Sequence, residues 1–156
     1  MGKSEASISI NTPIGKVFDA IADPEKMAEY SNASILTEAK GDPGEPGSAA
    51  VWEYNVAGMK LHATTSVTLV NKPKKLIQEM TGAMPGRWIW NLKQKGKATT
   101  VNFCIEYTLP GGVFGRMADR LFLGRMNQKN LEKTLGCLKE YCEAKKGNLN
   151  NGYNRT

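Results

Sequence analysis

The chain is poor in the residues that build metal centres and disulfide frameworks. It has one histidine, His62, and three cysteines, Cys104, Cys137 and Cys142. None of these has zinc-finger spacing, so a zinc site would need carboxylates to complete its ligand set, and no metal or cofactor is expected. An odd cysteine count without close spacing points to free thiols and a reducing, cytoplasmic setting. Cys137 and Cys142 on one helix would stand about 7.5 Å apart in rise alone, too far for an unstrained bridge. No apolar run approaches the roughly twenty residues that span a bilayer. The start, Met1 to Glu5, lacks the apolar core of a secretory signal, and Ala6 stands where a myristoylation motif wants Ser or Thr. Helix-turn-helix, zinc-finger, RNP and GXXG patterns are also missing, which argues against nucleic acid as a partner.

At 156 residues the chain can bury a full core as one domain. That domain is expected over 1–145. Residues 146–156, rich in Asn and Gly, read as a disordered tail. Acidic residues number 15 against 21 basic ones, a formal charge of +6, and most of the excess lies after Gly112. Arg116, Arg120, Arg125, Lys129, Lys133 and Lys139 fall off the apolar stripe of the helix described next. They read first as a solvated face, and alternatively as a peripheral contact with an anionic membrane or an acidic partner.

A proline-free stretch from Val113 to about Lys145 follows Leu109-Pro110-Gly111-Gly112. Met117, Leu121, Gly124, Gln128, Leu131, Leu135, Leu138 and Cys142 recur at steps of four and three, which places them on one helical stripe. Some thirty residues would make a helix about 45 Å long. Gly124 and Gln128 do not suit the middle of a core. Either the mid-helix faces a cavity, or Gly124 marks a kink or close approach with Gln128 hydrogen-bonded nearby.

Ala6–Asn11 alternates as a strand. Thr12-Pro13 and Asp23-Pro24 each combine a capping residue with a helix-opening proline, which predicts two short helices ending near Tyr30. Ser34–Lys40, Ser48–Val56, Met59–Val70, Lys75–Thr81, Arg87–Lys93 and Thr99–Leu109 read as six more strands. The glycine- and proline-rich segment Gly41 to Gly47 must be a loop, and Ala57-Gly58 a hairpin turn. This order is α+β with an antiparallel sheet.

Alternation assigns the two faces of that sheet. Trp52, Tyr54 and Val56 share a face with Met59, Leu61, Ala63, Thr65, Val67 and Leu69. On neighbouring strands Leu76, Gln78 and Met80, then Trp88, Trp90 and Leu92, then Val101, Phe103, Ile105, Tyr107 and Leu109 join them. His62, Glu53, Cys104 and Glu106 point the other way. The inward set is aromatic and nearly free of charge, with a few neutral polar groups. It is the make-up of a pocket for an apolar ligand as well as of a filled core. The candidate binding set is Trp52, Tyr54, Leu61, Thr65, Gln78, Met80, Trp88, Trp90, Phe103, Tyr107, Met117, Leu121, Gly124 and Gln128.

Three stretches carry a family resemblance. Ile8-Ser9-Ile10-Asn11-Thr12-Pro13, running on through Val17-Phe18 to Asp23-Pro24, is one. Trp88-Ile89-Trp90-Asn91-Leu92 with Thr99-Thr100-Val101 is the second, and Gly111-Gly112-Val113-Phe114-Gly115-Arg116-Met117 the third. Together, over about residues 4–145, they resemble the START-like, or SRPBCC, superfamily, and most nearly its polyketide cyclase/dehydrase and lipid-transport branch. The resemblance implies a helix-grip fold: a curved seven-stranded antiparallel sheet wrapped on a long C-terminal helix, with two short helices after the first strand. It also implies an apolar small molecule, such as a lipid or polyketide, bound under the long helix. Catalysis needs a positioned acid, base or nucleophile, and no catalytic residue is assigned. The first reading is therefore a binder or carrier. A cyclase or dehydratase using cavity tyrosines, and a module acting through the basic helix face, are the alternatives.

Overall fold

The computed structural model describes residues 2–31, 34–56, 58–82, 85–108 and 117–147, with side chains described except at 56, 117–123 and 145–147. The features expected at Ala57, between Leu109 and Arg116, and in the tail from Asn148 onward lie outside these residues. Strand β1 spans Gly2–Ile10, followed by α1 (Ile14–Ala22) and α2 (Pro24–Tyr30). Then come β2 (Ser34–Lys40), β3 (Ala49–Val56), β4 (Met59–Asn71), β5 (Lys75–Gly82), β6 (Gly86–Lys95) and β7 (Ala98–Tyr107). Helix α3 runs over Met117–Gly147, two residues past its expected end. All strands are antiparallel neighbours in the order β1-β7-β6-β5-β4-β3-β2. Consecutive hairpins account for this order except at β1, which pairs with β7 and so closes the meander from the far side.

The two caps differ. The Asp23 carboxylate accepts from the Glu25 N–H at 3.0 Å and Pro24 opens α2, as the sequence predicts. Thr12 does not cap α1. Its Oγ1 is buried without a hydrogen-bond partner, and Pro13 takes the cap position. The Gln94 side chain serves instead, accepting from the Ile14 N–H at 2.8 Å. The Thr12 carbonyl is held by the Thr99 hydroxyl at 2.7 Å.

The core forms where α1 and the second half of α3 meet the sheet. Val17, Phe18 and Ile21 pack with Leu131, Leu135, Leu138 and Cys142 over Ile10, Leu76, Trp90, Leu92, Val101 and Phe103. Among the described residues the register shifts in two strand pairs. One is β2–β3, between Leu36 and Glu38, and the other β4–β5, between Val67 and Leu69. Such a bulge adds a residue and reverses the facing beyond it. Leu69, expected inward, is therefore 44% exposed, and Val70 packs on the core in its place. Met59, also expected inward, stands exposed at the end of its hairpin.

Candidate functional site

The mid-section of α3 rests on the sheet at the β1 edge and stands off from strands β3 to β7. Between them lies a cavity of about 120 Å³. Strands β4 to β7 make its floor from Ala63, Thr65, Met80, Trp88, Trp90, Phe103, Ile105 and Tyr107. Strand β3 contributes Trp52, Tyr54 and Asn55, and the α2–β2 region adds Met27, Ser31 and Ser34. The roof is α3, through Met126, Asn127, Asn130, Leu131 and Thr134.

The floor is a built aromatic surface. Trp90 and Phe103 stack at 3.5 Å between centroids, and Trp88 meets Phe103 edge-on at 5.9 Å. The indole N–H of Trp90 donates to Gln78 Oε1 and that of Trp52 to Thr65 Oγ1, each at 3.2 Å. Both indoles are thereby satisfied and offer the cavity only their apolar surfaces. Polar groups sit around this floor. The Ser31 and Ser34 hydroxyls share a hydrogen bond of 2.9 Å, and Asn55 Oδ1 accepts from the Gly58 N–H. Among the described residues, the hydroxyls of Tyr54, Tyr107 and Thr134 and the amide of Asn130 have no hydrogen-bond partner, yet none is sealed from solvent. Burial raises the Tyr54 phenol above its ordinary value, so it stays protonated and can donate.

Eight of the residues singled out from sequence line this cavity: Trp52, Tyr54, Thr65, Met80, Trp88, Trp90, Phe103 and Tyr107. Four do not. Gln78 faces inward but lies beneath the floor, bonded to Trp90. Leu61 is half-buried beyond the lining. Gln128 is turned onto the sheet edge. Its Oε1 accepts from the Glu5 N–H at 3.3 Å and its Nε2 donates to the Glu5 carbonyl at 3.1 Å, as a neighbouring strand would. Gly124 lies near the rim, where a Cβ would stand 3.6 Å from the Tyr107 hydroxyl. The side chains of Met117 and Leu121 are outside the described residues.

Of the roof, sequence reasoning named only Leu131, on the apolar stripe, and missed Met126, Asn127, Asn130 and Thr134. The helix is rotated so that Asn127, Asn130 and Thr134, next to the expected stripe, face the cavity. Their three- and four-residue spacing was visible, but three polar residues at that spacing read equally well as a solvated face.

The outward residues stand where alternation put them. His62 is 4.0 Å from Glu53 with its side chain 59% exposed, and Glu106 meets Arg87 at 3.9 Å. Burial pushes the Cys104 thiol up, offset in part by Lys3 and reinforced by Glu5 and Glu106. Of the basic residues on α3, Lys139 is engaged with Glu143 and the Ser9 carbonyl, while Arg125, Lys129 and Lys133 are exposed. No group of potential metal ligands occurs among the described residues. No helix among them is long and apolar enough to cross a membrane.

A curved antiparallel sheet gripping one long helix, with a cavity between, defines a helix-grip protein of the START-like superfamily. The profile of the family described as polyketide cyclase / dehydrase and lipid transport matches residues 1–143, and the chain belongs to that family. Solved structures share the fold at low identity. The protein TTHA0849 of Thermus thermophilus superposes with a TM-score of 0.74 at 20% identity, over 91% of this chain and 97% of that one. NE0264 of Nitrosomonas europaea gives 0.70 at 15%, over 94% and 97%. The Aha1 dimer of Colwellia psychrerythraea gives 0.65 at 18%, over 94% and 100%. No curated protein matches the chain.

Proposed function

We propose that this protein binds an apolar small molecule in the cavity between the sheet and α3. One observation carries the reading: all three tryptophans of the chain converge on a single unfilled space under the helix. Core aromatics normally pack against protein atoms at close to crystal density. Here aromatic surface faces a void, and that void is ringed by neutral hydrogen-bonding groups, the usual composition of a ligand site. Family membership supports the same reading. The three cysteines are free thiols, which supports a reducing, cytoplasmic setting.

Cyclase- or dehydratase-like chemistry is the second reading, favoured by the unpartnered hydroxyls of Tyr54 and Tyr107. Both could polarise a carbonyl by hydrogen bonding. The described lining offers no carboxylate, imidazole, amine or thiol to take a proton, which supports binding as the principal role.

The indole N–H resonances of Trp52, Trp88 and Trp90 report directly on occupancy. Titration with 2-naphthol should shift all three. Ala63 is buried and lines the floor, so Ala63→Phe should fill the space and abolish the shifts while the protein stays folded. Indole signals that remain still at millimolar ligand, or that move equally in Ala63→Phe, would remove the binding reading.

A further inference from the structure

Resting on that binding reading, we infer that the cavity selects small, uncharged aromatic molecules bearing hydroxyl or amide groups, and rejects carboxylates and phosphates of the same shape. The lining decides the charge. Its described side chains include no Lys, Arg, His, Asp or Glu. An anion entering would lose its hydration and meet no cation, and an ionised group buried without a partner is strongly disfavoured. Among the described residues of α3, Arg125, Lys129 and Lys133 face water and do not relieve this.

The unpartnered groups decide the polarity. Tyr54, Tyr107, Asn130 and Thr134 present neutral donors and acceptors to the space. A pure hydrocarbon would displace their waters without replacing the lost hydrogen bonds, a net cost. The floor differs, since the indoles of Trp52 and Trp90 are already satisfied by Thr65 and Gln78. A flat ring can therefore lie on Trp88 and Phe103 and turn its substituents toward Asn130 and Thr134, one helical turn apart on the roof.

Volume decides the size. At about 120 Å³ the cavity is near the roughly 150 Å³ that admits a benzene ring and below the roughly 300–1,000 Å³ of drug-sized sites. One ring fits inside, and a second can extend through the side open to solvent, whereas a full-length acyl chain does not fit.

Two near-isosteric probes separate charge from shape. Calorimetry on the full chain at pH 7 should show 2-naphthamide binding at least about tenfold tighter than 2-naphthoate. Asn130→Leu, with its thermal midpoint checked, should weaken 2-naphthamide by about fivefold or more, and Thr134→Val asks the same question if that variant does not fold. Equal affinity for the two probes, or tighter binding of the carboxylate, overturns the selectivity while leaving the binding reading intact. Unchanged 2-naphthamide affinity in the folded variants overturns the role given to the roof. If neither probe binds and no indole resonance moves, the binding reading falls together with this one.

Discussion

Trp90 is fully buried, and its one polar atom survives there because Gln78 reaches it from the neighbouring strand. A buried donor left unpaired costs its desolvation, about 1–3 kcal/mol. Gln78→Leu should thus destabilise by about that amount in chemical denaturation and shift the Trp90 indole resonance. It should leave 2-naphthol binding nearly unchanged, since Gln78 is under the floor and not in the lining. A stable variant with weakened binding would instead place Gln78 at the ligand. The polar residues inside the sheet thus divide into two kinds, those that satisfy a core indole and those that remain unpaired around a void. Their spacing in sequence is the same, so alternation could bring Gln78 and Tyr54 to one face without separating their roles.

Strand β1 ends the sheet, and its outer backbone groups would be open to pairing with another chain. Helix α3 covers them with side chains. Gln128 takes both groups of Glu5, Lys139 donates to the Ser9 carbonyl at 3.0 Å, and Glu143 accepts from the Asn11 N–H at 2.8 Å. This polar seam fixes the rotation of the helix, and that rotation in turn presents Asn130 and Thr134 to the cavity. Glycines at element level act in opposite directions. A Cβ at Gly136 on α3 would meet nothing within 4 Å, so Gly136→Ala should gain up to about 1 kcal/mol of helix propensity. A Cβ at Gly86 would overlap the Glu106 carbonyl across the β6–β7 ladder. Gly86→Ala should cost about 1–3 kcal/mol as the strands move apart. Parallel urea titrations check both, and the reverse order of stabilities would contradict the pairing described.

Where α2 packs against the end of α3, two phenols and a thiol, Tyr30, Tyr141 and Cys142, all shift upward. Burial and then Glu143 push the Cys142 thiol from 9.0 to about 11. Burial, Glu29, Cys142 and Asp23 push the Tyr141 phenol from 10.0 to about 12. Tyr30 is raised well above its ordinary value, chiefly by burial, with its hydroxyl on the Ala20 carbonyl. A raised pKa means that the folded state holds the proton more tightly than the unfolded chain. Stability from these groups is therefore complete below about pH 9 and declines as pH rises toward 12. Denaturation midpoints should be flat from pH 7 to 9 and then fall. Tyr141→Phe should fall less steeply above pH 10. A midpoint unchanged to pH 12 would contradict the buried setting of these groups.

Element order, the aromatic inner face and the outward register of His62 were legible because helix and strand periods act locally, residue by residue. The bulge that turns Leu69 outward was not, since only the β5 pairing reveals it. Nor was the turn of α3 that sends Gln128 to β1 and Asn130 to the cavity. A helical stripe fixes which residues lie together, and only the partners available on both sides decide which stripe faces the void. Local pattern was thus enough for the α+β fold and for an apolar interior rich in tryptophan. Where that interior stays open, and which neutral groups stand unpaired around it, was settled by packing alone, because both depend on how α3 is rotated against an edge strand more than a hundred residues away.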